Sequence, residues 1–382
     1  MSANEAAQWV ERGLLFDEEE RYEEAAVAYE RALSLDPDNA QTWALLGGAL
    51  LEMDQAEAAL RAYDRALALD PHEASVWLFK SDALATLEQF EEALVAVDQA
   101  LSLDPTDASA WSLRAATLSL LERYADAVPA YDRALALDPD EPDAWIGKGD
   151  ALVELGQYEN AIEAYDRALT LDPDEASAWT GKGDALDGMG MSEEALDAYD
   201  QALKLDPEEA DALLGKGDAL ANLERDGEAL AAFEAALRLD PELTWAWMGQ
   251  GDALTGLDRH EDALDAYEHA LRLDPESVRA WACKAIVLER LERLDEALAA
   301  HEHVLTLEPD NAYIWALKGD VLRRLDRPEK ALGAFDRAVL LDPDASWAWV
   351  GKATCLRALG READAQAAEE RARDLGADDD DD

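Results

Sequence analysis

The chain has 382 residues, of which 87 are Asp or Glu and 33 are Lys or Arg, giving a formal net charge of −54. This charge excludes ordinary nucleic-acid binding, which needs a basic face to displace counterions, and it argues against docking on an anionic membrane. Disorder is excluded as well, because 12 Trp and 10 Tyr fall on regularly spaced apolar stripes.

The sequence predicts a protein of the reducing cytoplasm. No stretch approaches the roughly 18 apolar residues that a membrane-spanning helix needs. The first residues lack the basic segment and apolar core of a secretion signal. Cys283 and Cys355 lie far apart in the chain and provide no disulfide framework.

The composition also indicates adaptation to concentrated salt. Lys is rare, with nine residues against 24 Arg, and the acidic excess runs along the whole chain. Self-repulsion destabilises such a chain unless salt screens it. We interpret the pattern as halophilic, although an acidic protein from an ordinary environment has to be considered.

Proline and tryptophan recur at intervals of 34 residues. The tryptophan column, in which Leu213 replaces one member, is Trp9, Trp43, Trp77, Trp111, Trp145, Trp179, Leu213, Trp247, Trp281, Trp315 and Trp349. Alanine follows each of these positions after 16 residues, and an aromatic ring usually follows after 20. In most repeats an Asp-Pro pair closes the period, as at Asp172-Pro173.

Each period encodes two amphipathic helices. In the fifth one, the stripe of the first helix is Trp145, Lys148, Gly149 and Leu152, and that of the second is Ala161, Tyr165, Ala168 and Leu169. The small residues Gly149 and Ala161 predict a close approach of the two helices. The residue before a proline avoids the α region, so the second helix is expected to end at Asp172-Pro173.

This pattern resembles the tetratricopeptide repeat. The resemblance covers residues 6–377 as a single array of eleven repeats, which start at 6, 40, 74, 108, 142, 176, 210, 244, 278, 312 and 346. It implies an all-α fold, a right-handed superhelical solenoid of antiparallel helix pairs. The last repeat is predicted to be a C-terminal cap, because polar Glu369 and Arg373 occupy its aromatic and apolar positions. Residues 378–382 form an acidic tail.

A lysine stands three residues after most of the repeat tryptophans, and an acid follows every aromatic position. We predict that the two columns form ion pairs, Lys148 with Asp166 or with an acid of an adjacent repeat. Such pairing would be architectural and would not indicate ligand binding.

The sequence shows no catalytic or metal-binding pattern. Its five histidines lack the spacing of a zinc site, and His301 and His303 are two residues apart, so they do not share a helix face. No glycine-rich phosphate loop is present. We therefore predict a protein that is not an enzyme and needs no cofactor or metal.

The resemblance implies that the first helices line a concave groove that holds peptides or partner helices. Groove positions of the middle repeats carry an aspartate ladder, comprising Asp143, Asp150, Asp184, Asp187, Asp211, Asp218 and Asp252. A solvated halophilic face and a site for a basic ligand both explain these residues.

The groove positions of the last four repeats are different, because aromatic residues alternate with arginines. Residues 278–345 contain ten basic and thirteen acidic residues, a net of −3, whereas 142–209 contain four and eighteen, a net of −14. Aromatic residues and Arg dominate binding hot spots. The predicted partner-binding residues are Trp245, Met248, Arg279, Arg290, Tyr313, Arg323, Arg324 and Trp347. The alternative is that the two tryptophans pack on neighbouring repeats and the arginines neutralise local acids.

The sequence thus predicts a cytoplasmic protein-interaction scaffold or adaptor, whose partner is a protein or peptide with an acidic, partly apolar segment. No nucleic acid or membrane is expected as a partner. The competing hypothesis is an acidic chaperone, or a nucleic-acid mimic, that shields basic proteins. Salt separates the two, because charge-driven shielding weakens as ionic strength rises and docking of apolar side chains does not.

Overall fold

The computed structural model describes residues 2–376, with side chains from residue 4 onward, and every regular element in this range is an α-helix. The helices form two compact units, of which the first ends at Met191 and the second begins at Ser192. The predicted all-α fold of tandem helix pairs is confirmed. No helix in the described range is both long and apolar enough to cross a membrane.

The first unit contains eleven helices, in which odd-numbered ones are the first helices of the repeats. They are α1 (Ser2–Glu18), α2 (Tyr22–Leu35), α3 (Ala40–Leu51), α4 (Ala56–Leu69), α5 (Ala74–Thr86), α6 (Phe90–Leu103), α7 (Ala108–Leu120), α8 (Tyr124–Leu137), α9 (Pro142–Glu154), α10 (Tyr158–Leu171) and α11 (Ala176–Gly188).

The second unit continues the same alternation. Its helices are α12 (Ser192–Leu205), α13 (Ala210–Asn222), α14 (Asp226–Leu239), α15 (Thr244–Gly256), α16 (His260–Leu273), α17 (Val278–Arg290), α18 (Leu294–Leu307), α19 (Ala312–Arg324), α20 (Pro328–Leu341), α21 (Ser346–Ala358) and α22 (Glu362–Asp374). That all pairs form one continuous array, closed by a cap, stays a prediction. The acidic tail at 378–382 lies outside the described residues.

Local sequence signals set the helix ends. Asn39 and Asp107 cap α3 and α7 by accepting hydrogen bonds from backbone N–H groups of the first turn. The second helix of the fifth repeat ends where the sequence predicts. This helix, α10, stops at Leu171, immediately before Asp172-Pro173. The turn inside that repeat needs a left-handed residue, which Gly156 supplies at φ +66°.

Within each unit, every helix packs on its neighbours in the chain, and first helices of adjacent repeats also touch, as α9 touches α11 and α13 touches α15. The first helices of a unit therefore share one face. We call it the first-helix face, since it corresponds to the groove of the sequence-based prediction.

The core of the fifth repeat is an aromatic ring held between two glycines. Tyr165 is 1% exposed, and a Cβ atom placed on Gly149 of its own repeat or on Gly181 of the next would lie 2.6 or 2.5 Å from its ring. The predicted close approach at Gly149 is thereby explained. The second contact, at Gly181, carries the packing from one repeat to the next.

Candidate functional site

The position two residues before the repeat tryptophan distinguishes the last four repeats. It holds Trp245 on α15, Arg279 on α17, Tyr313 on α19 and Trp347 on α21. We call these four residues the aromatic–arginine row. The same position in the first seven repeats holds only small or polar residues, namely Ala7, Gln41, Ser75, Ser109, Asp143, Ser177 and Asp211.

The side chains of the row are exposed on the first-helix face of the second unit. Trp245 is 66% exposed, Tyr313 56% and Trp347 44%. The guanidinium carbon of Arg279 lies 5.9 Å from the ring centroid of Trp245, and the rings of Tyr313 and Trp347 meet edge to face at 5.6 Å. The two large rings at its ends are therefore held in place without being buried.

An open cleft of about 410 Å³ lies at the first end of the row. Trp245 and Arg279 form part of its wall, together with Leu214 and Ser277. Met248, another predicted partner-binding residue, also lines the cleft but is only 2% exposed. It therefore contributes to the shape of the cleft and offers a partner little surface of its own.

Most of the predicted arginines already have carboxylate partners inside the chain. Arg279 donates to Asp252 at 2.6 Å, and Arg323 donates to Asp320 at 3.2 Å. Arg290 is exposed, and in residues 2–376 it makes no hydrogen bond or ion pair. The alternative in which arginines neutralise local acids thus describes part of this surface.

Arg324 belongs to a network that the sequence analysis missed. Its guanidinium binds the carboxylates of Glu289 at 3.1 Å and Glu292 at 3.0 Å. The second oxygen of Glu289 lies 2.8 Å from Nε2 of His301, which is completely buried. Histidine in a column of aromatic residues was the available signal, because an imidazole at that depth needs a polar partner.

Tyrosine hydroxyls donate hydrogen bonds to aspartates of the ladder. Tyr165 donates to Asp150 at 2.7 Å, and Tyr267 donates to Asp252 at 2.6 Å. Burial raises the pKa of the Asp150 carboxyl above its ordinary value, and the hydrogen bond from Tyr165 acts in the opposite direction. These two aspartates are therefore part of the repeat packing as well as of the first-helix face.

The lysine column pairs with acids of the preceding repeat. Lys148 reaches Asp132 at 2.7 Å and Lys182 reaches Asp166 at 2.6 Å, so the predicted pairing with an adjacent repeat is correct and the Lys148–Asp166 pair is wrong. Lys148 also lies 5.3 Å from the ring centroid of Trp145 in its own repeat. Asp132 lies on α8, the second helix of the preceding repeat, which packs against the helix of Lys148.

The thiols and the histidines form no reactive centre in the described range. Burial raises the pKa of the Cys355 thiol to about 11 and also raises the pKa of Cys283, so neither is activated as a nucleophile. His269 stacks on Trp247 with 4.2 Å between ring centroids. Residues 2–376 contain no group of three or more side chains that could hold a metal ion.

Sequence profiles of tetratricopeptide repeats match nearly the whole chain. One tetratricopeptide-repeat profile matches residues 121–176, 180–243 and 316–380, and a second matches 254–321. The profile of the cytochrome c-type biogenesis protein H TPR domain matches residues 18–137. The chain belongs to the tetratricopeptide-repeat family. Such repeats build protein-interaction scaffolds, and this is the function that membership supports.

Several solved structures resemble this tetratricopeptide-repeat protein. MamA is 24% identical, with coverage of 45% of this chain and 93% of its own, at a TM-score of 0.42. Yeast Tom70 is 18% identical, with coverage of 99% and 93%, at a TM-score of 0.43. YrrB, described as a TPR protein with an unusual peptide-binding site, is 26% identical, with coverage of 48% and 95%, at a TM-score of 0.39. The comparison with curated proteins gave no match.

Proposed function

We propose that this scaffold docks a segment of a cytoplasmic partner protein along the aromatic–arginine row. The segment carries apolar side chains that contact the row. It also carries at least one carboxylate that forms an ion pair with an arginine of this surface. The apolar contacts supply most of the binding free energy. Three of the four predicted partner-binding arginines, Arg279, Arg323 and Arg324, already form ion pairs with acids of this chain.

The contrast along one repeat position supports this proposal best. Seven repeats fold with a small or polar residue two positions before the tryptophan, so the repeat does not need a large ring there. Trp245, Tyr313 and Trp347 nevertheless occupy it in consecutive or near-consecutive repeats and stay largely exposed. Exposed aromatic residues grouped on one face are typical of interaction sites.

The charge of the surface supports a carboxylate as the polar part of the partner. Arg279 is 58% exposed and has five N–H donors, so its ion pair with Asp252 leaves donors for a second carboxylate. Arg290 lies eleven residues further along α17, three helical turns on the same side as Arg279. The helix therefore offers two separate guanidinium groups, about 16 Å apart along its axis, to carboxylates of the partner.

The test is a quantitative capture experiment from lysate in molar KCl. The bait proteins are the wild type, the row variant Trp245→Ala/Trp347→Ala and the charge variant Arg323→Glu/Arg324→Glu. The control is Leu340→Ala, since Leu340 is 68% exposed but lies on α20, a second helix. We expect a partner whose recovery falls at least tenfold, or about 1.4 kcal/mol, with the row variant and stays unchanged with the control.

Equal recovery with wild type and row variant would overturn the proposal. The charge variant is expected to have the smaller effect, because Arg323 and Arg324 are tied to Asp320 and Glu289. If recovery instead collapses for every bait as KCl rises from 0.1 to 1 M, the acidic chaperone or nucleic-acid mimic is the better account of the binding.

A further inference from the structure

The first unit has a cleft on its first-helix face that the sequence analysis did not identify. Its volume is about 350 Å³, and helices α1 to α5 contribute to its walls. All charged side chains that line it are carboxylates, and the cleft also contains three aromatic rings. These six residues are Asp17, Glu52, Asp82, Tyr22, Tyr63 and Phe79.

Gly48 makes room for the cleft. It lies five residues after Trp43, at a position that holds Leu14 in the repeat before and Asp82 in the repeat after. A Cβ atom built on Gly48 meets nothing within 4 Å, in contrast to the glycines that receive an aromatic ring. The missing side chain of Gly48 therefore opens a gap on a face that both neighbouring repeats fill.

The aromatic residues give the cleft a flat wall and a rigid floor. Tyr63 is 1% exposed, and Phe79 stacks on it with ring centroids 6.1 Å apart at an interplanar angle of 28°. Phe79 itself is 49% exposed, so one face of the ring is open to a ligand. A planar cation is the group that gains most from an exposed ring beside carboxylates.

The carboxylates make the electrostatic potential of the cleft strongly negative. Burial raises the pKa of the Tyr63 hydroxyl, and the charges of Asp82 and Glu52 raise it further. In the described residues, the side chains of Asp82 and Glu52 make no hydrogen bond or ion pair. Both are exposed and can therefore receive donors from outside.

Asp17 adds a third carboxylate to the lining of the cleft. One of its oxygens, Oδ2, accepts the hydroxyl of Tyr29, whereas Oδ1 is buried and has no partner in the described range. Because Oδ1 is inaccessible, a ligand in the cleft meets Asp17 through its charge and not through this oxygen.

We propose that this cleft binds the guanidinium group of an arginine side chain from a partner protein, stacked on Phe79 and hydrogen-bonded to the surrounding carboxylates. The plane of a guanidinium matches the ring, and its fork of donors matches a carboxylate with two parallel hydrogen bonds. The ammonium group of lysine has neither property, so the cleft discriminates between the two basic residues. The site lies in the first unit and is separate from the row on which the proposed function rests.

The test measures binding of a nine-residue peptide with one central arginine by calorimetry at 0.15 and 1 M KCl. Matched peptides carry lysine or citrulline, the uncharged isostere of arginine, at the same position. The full-length protein is compared with Gly48→Leu, which fills the cleft without changing the charge, and with Asp82→Asn. Two controls are Gly333→Leu, also at an open helical glycine, and Glu57→Gln, an exposed acid outside the cleft.

We expect saturable binding of the arginine peptide at one site, at least tenfold weaker binding of the other two peptides, and at least tenfold weakening by Gly48→Leu and Asp82→Asn. Gly48→Leu should keep the helical circular dichroism spectrum, because Leu favours a helix more than Gly does. The proposal is overturned if the arginine peptide does not bind, if citrulline binds equally well, or if Glu57→Gln weakens binding as much as Asp82→Asn. The row variant Trp245→Ala/Trp347→Ala should leave this binding unchanged, so the two sites are tested independently.

Discussion

The tryptophans of the repeat make a hydrogen bond in addition to their packing contacts. Nine of them, in the described part of the chain, donate the indole N–H to the carbonyl of the proline six residues earlier, at 2.9–3.2 Å. That proline follows the preceding second helix. The bond thus ties the start of each repeat to the turn before it, which explains why the two columns share a period.

Replacing Trp145 by phenylalanine tests the contribution of this hydrogen bond. The ring of Phe fills much of the same space, whereas the carbonyl of Pro139 loses its donor at 3.0 Å. We expect the free energy of unfolding to fall by roughly 0.5–1.5 kcal/mol, and by more for alanine, which also removes the packed ring. Urea unfolding followed by circular dichroism measures both values, and equal stability of Trp145→Phe and wild type would show that only packing matters.

Asp150 gives the stability a dependence on pH. Desolvation raises the pKa of its carboxyl above the ordinary value of 3.8. At a pH between the unfolded and the folded pKa, the carboxyl is therefore protonated in the folded protein and ionised in the unfolded chain. The stability contributed by this group is therefore largest below pH 3.8 and falls as the pH rises through the folded pKa. Asparagine removes the charge and still accepts the hydroxyl of Tyr165.

We expect Asp150→Asn to be slightly more stable than wild type at pH 7, with a difference that shrinks as the pH is lowered toward 4. Urea unfolding at both pH values measures this difference. Asp143→Asn is the matched control, since Asp143 lies on the same helix and is also exposed but accepts no such hydrogen bond from a tyrosine. A variant less stable than wild type at pH 7 would mean that the carboxylate is stabilising on balance.

Between helices, the glycines decide how closely the repeats stack. Gly181 belongs to α11 and faces the ring of Tyr165 on α10, so it sets the distance between consecutive repeats. Gly333 on α20 is also helical, but a Cβ atom there would meet nothing within 4 Å. The two residues have the same backbone cost in a helix and differ only in what surrounds them.

Alanine at these two glycines should have opposite effects. Gly181→Ala places a methyl group 2.5 Å from the buried Tyr165 ring, so we expect a loss of about 1–3 kcal/mol. Gly333→Ala should raise the stability by roughly 0.5–1 kcal/mol, because alanine favours the helix and nothing obstructs it. Thermal unfolding of both variants checks the prediction, and a stabilised Gly181→Ala would show that the ring can move aside.

The sequence predicted the helices better than it predicted their contacts. Periodic positions such as Trp145 and Asp172-Pro173 fix where helices begin and end, because those rules act within a few residues. The partner of Lys148 was left open between two acids, since the choice depends on how neighbouring repeats stack. That stacking depends on contacts such as the one between Gly181 and the ring of Tyr165 in the preceding repeat. The pattern within a single repeat does not reveal a contact between two repeats.

The sequence predicted which residues make up the candidate site but not the ion pairs and hydrogen bonds that they form. Exposure of Trp245 and Trp347 follows from their helical register, which the sequence provides. The ion pair of Arg324 with Glu289 and the hydrogen bond between Glu289 and buried His301 join residues from three helices. The cleft at Gly48 was not predicted, because the absence of a side chain is not a recognisable sequence motif. The gap becomes apparent only by comparison with Leu14 and Asp82, which occupy the same position in the neighbouring repeats.

For the whole molecule, charge is the main determinant of stability in different solutions. The 54 excess negative charges repel one another, and salt limits the range of this repulsion to about the Debye length. That length is about 10 Å at 0.1 M salt and about 3 Å at 1 M. The ion pairs of the lysine column act in the opposite direction, because salt weakens them. Surface pairs contribute only about 0.2–1 kcal/mol each, and far more acids than bases are present, so repulsion should dominate.

We therefore expect the melting temperature to rise substantially between dilute buffer and molar KCl. Circular dichroism at a series of KCl concentrations measures this rise. Potassium glutamate at matched ionic strength serves as a control for specific effects of chloride. A melting temperature that is the same in dilute buffer and in molar KCl would contradict the interpretation of the composition as halophilic.

The central claim, that a partner docks on the aromatic–arginine row, is tested most directly by photocrosslinking in the native lysate. A photoreactive benzoylphenylalanine is introduced at position 313, within the row, and in a separate protein at position 340, which is also largely exposed but lies on a second helix. The account predicts a discrete crosslinked partner from position 313 that is absent from position 340 and is lost when Trp245 and Trp347 are replaced by alanine. The same products from both positions, or none from position 313, would contradict it.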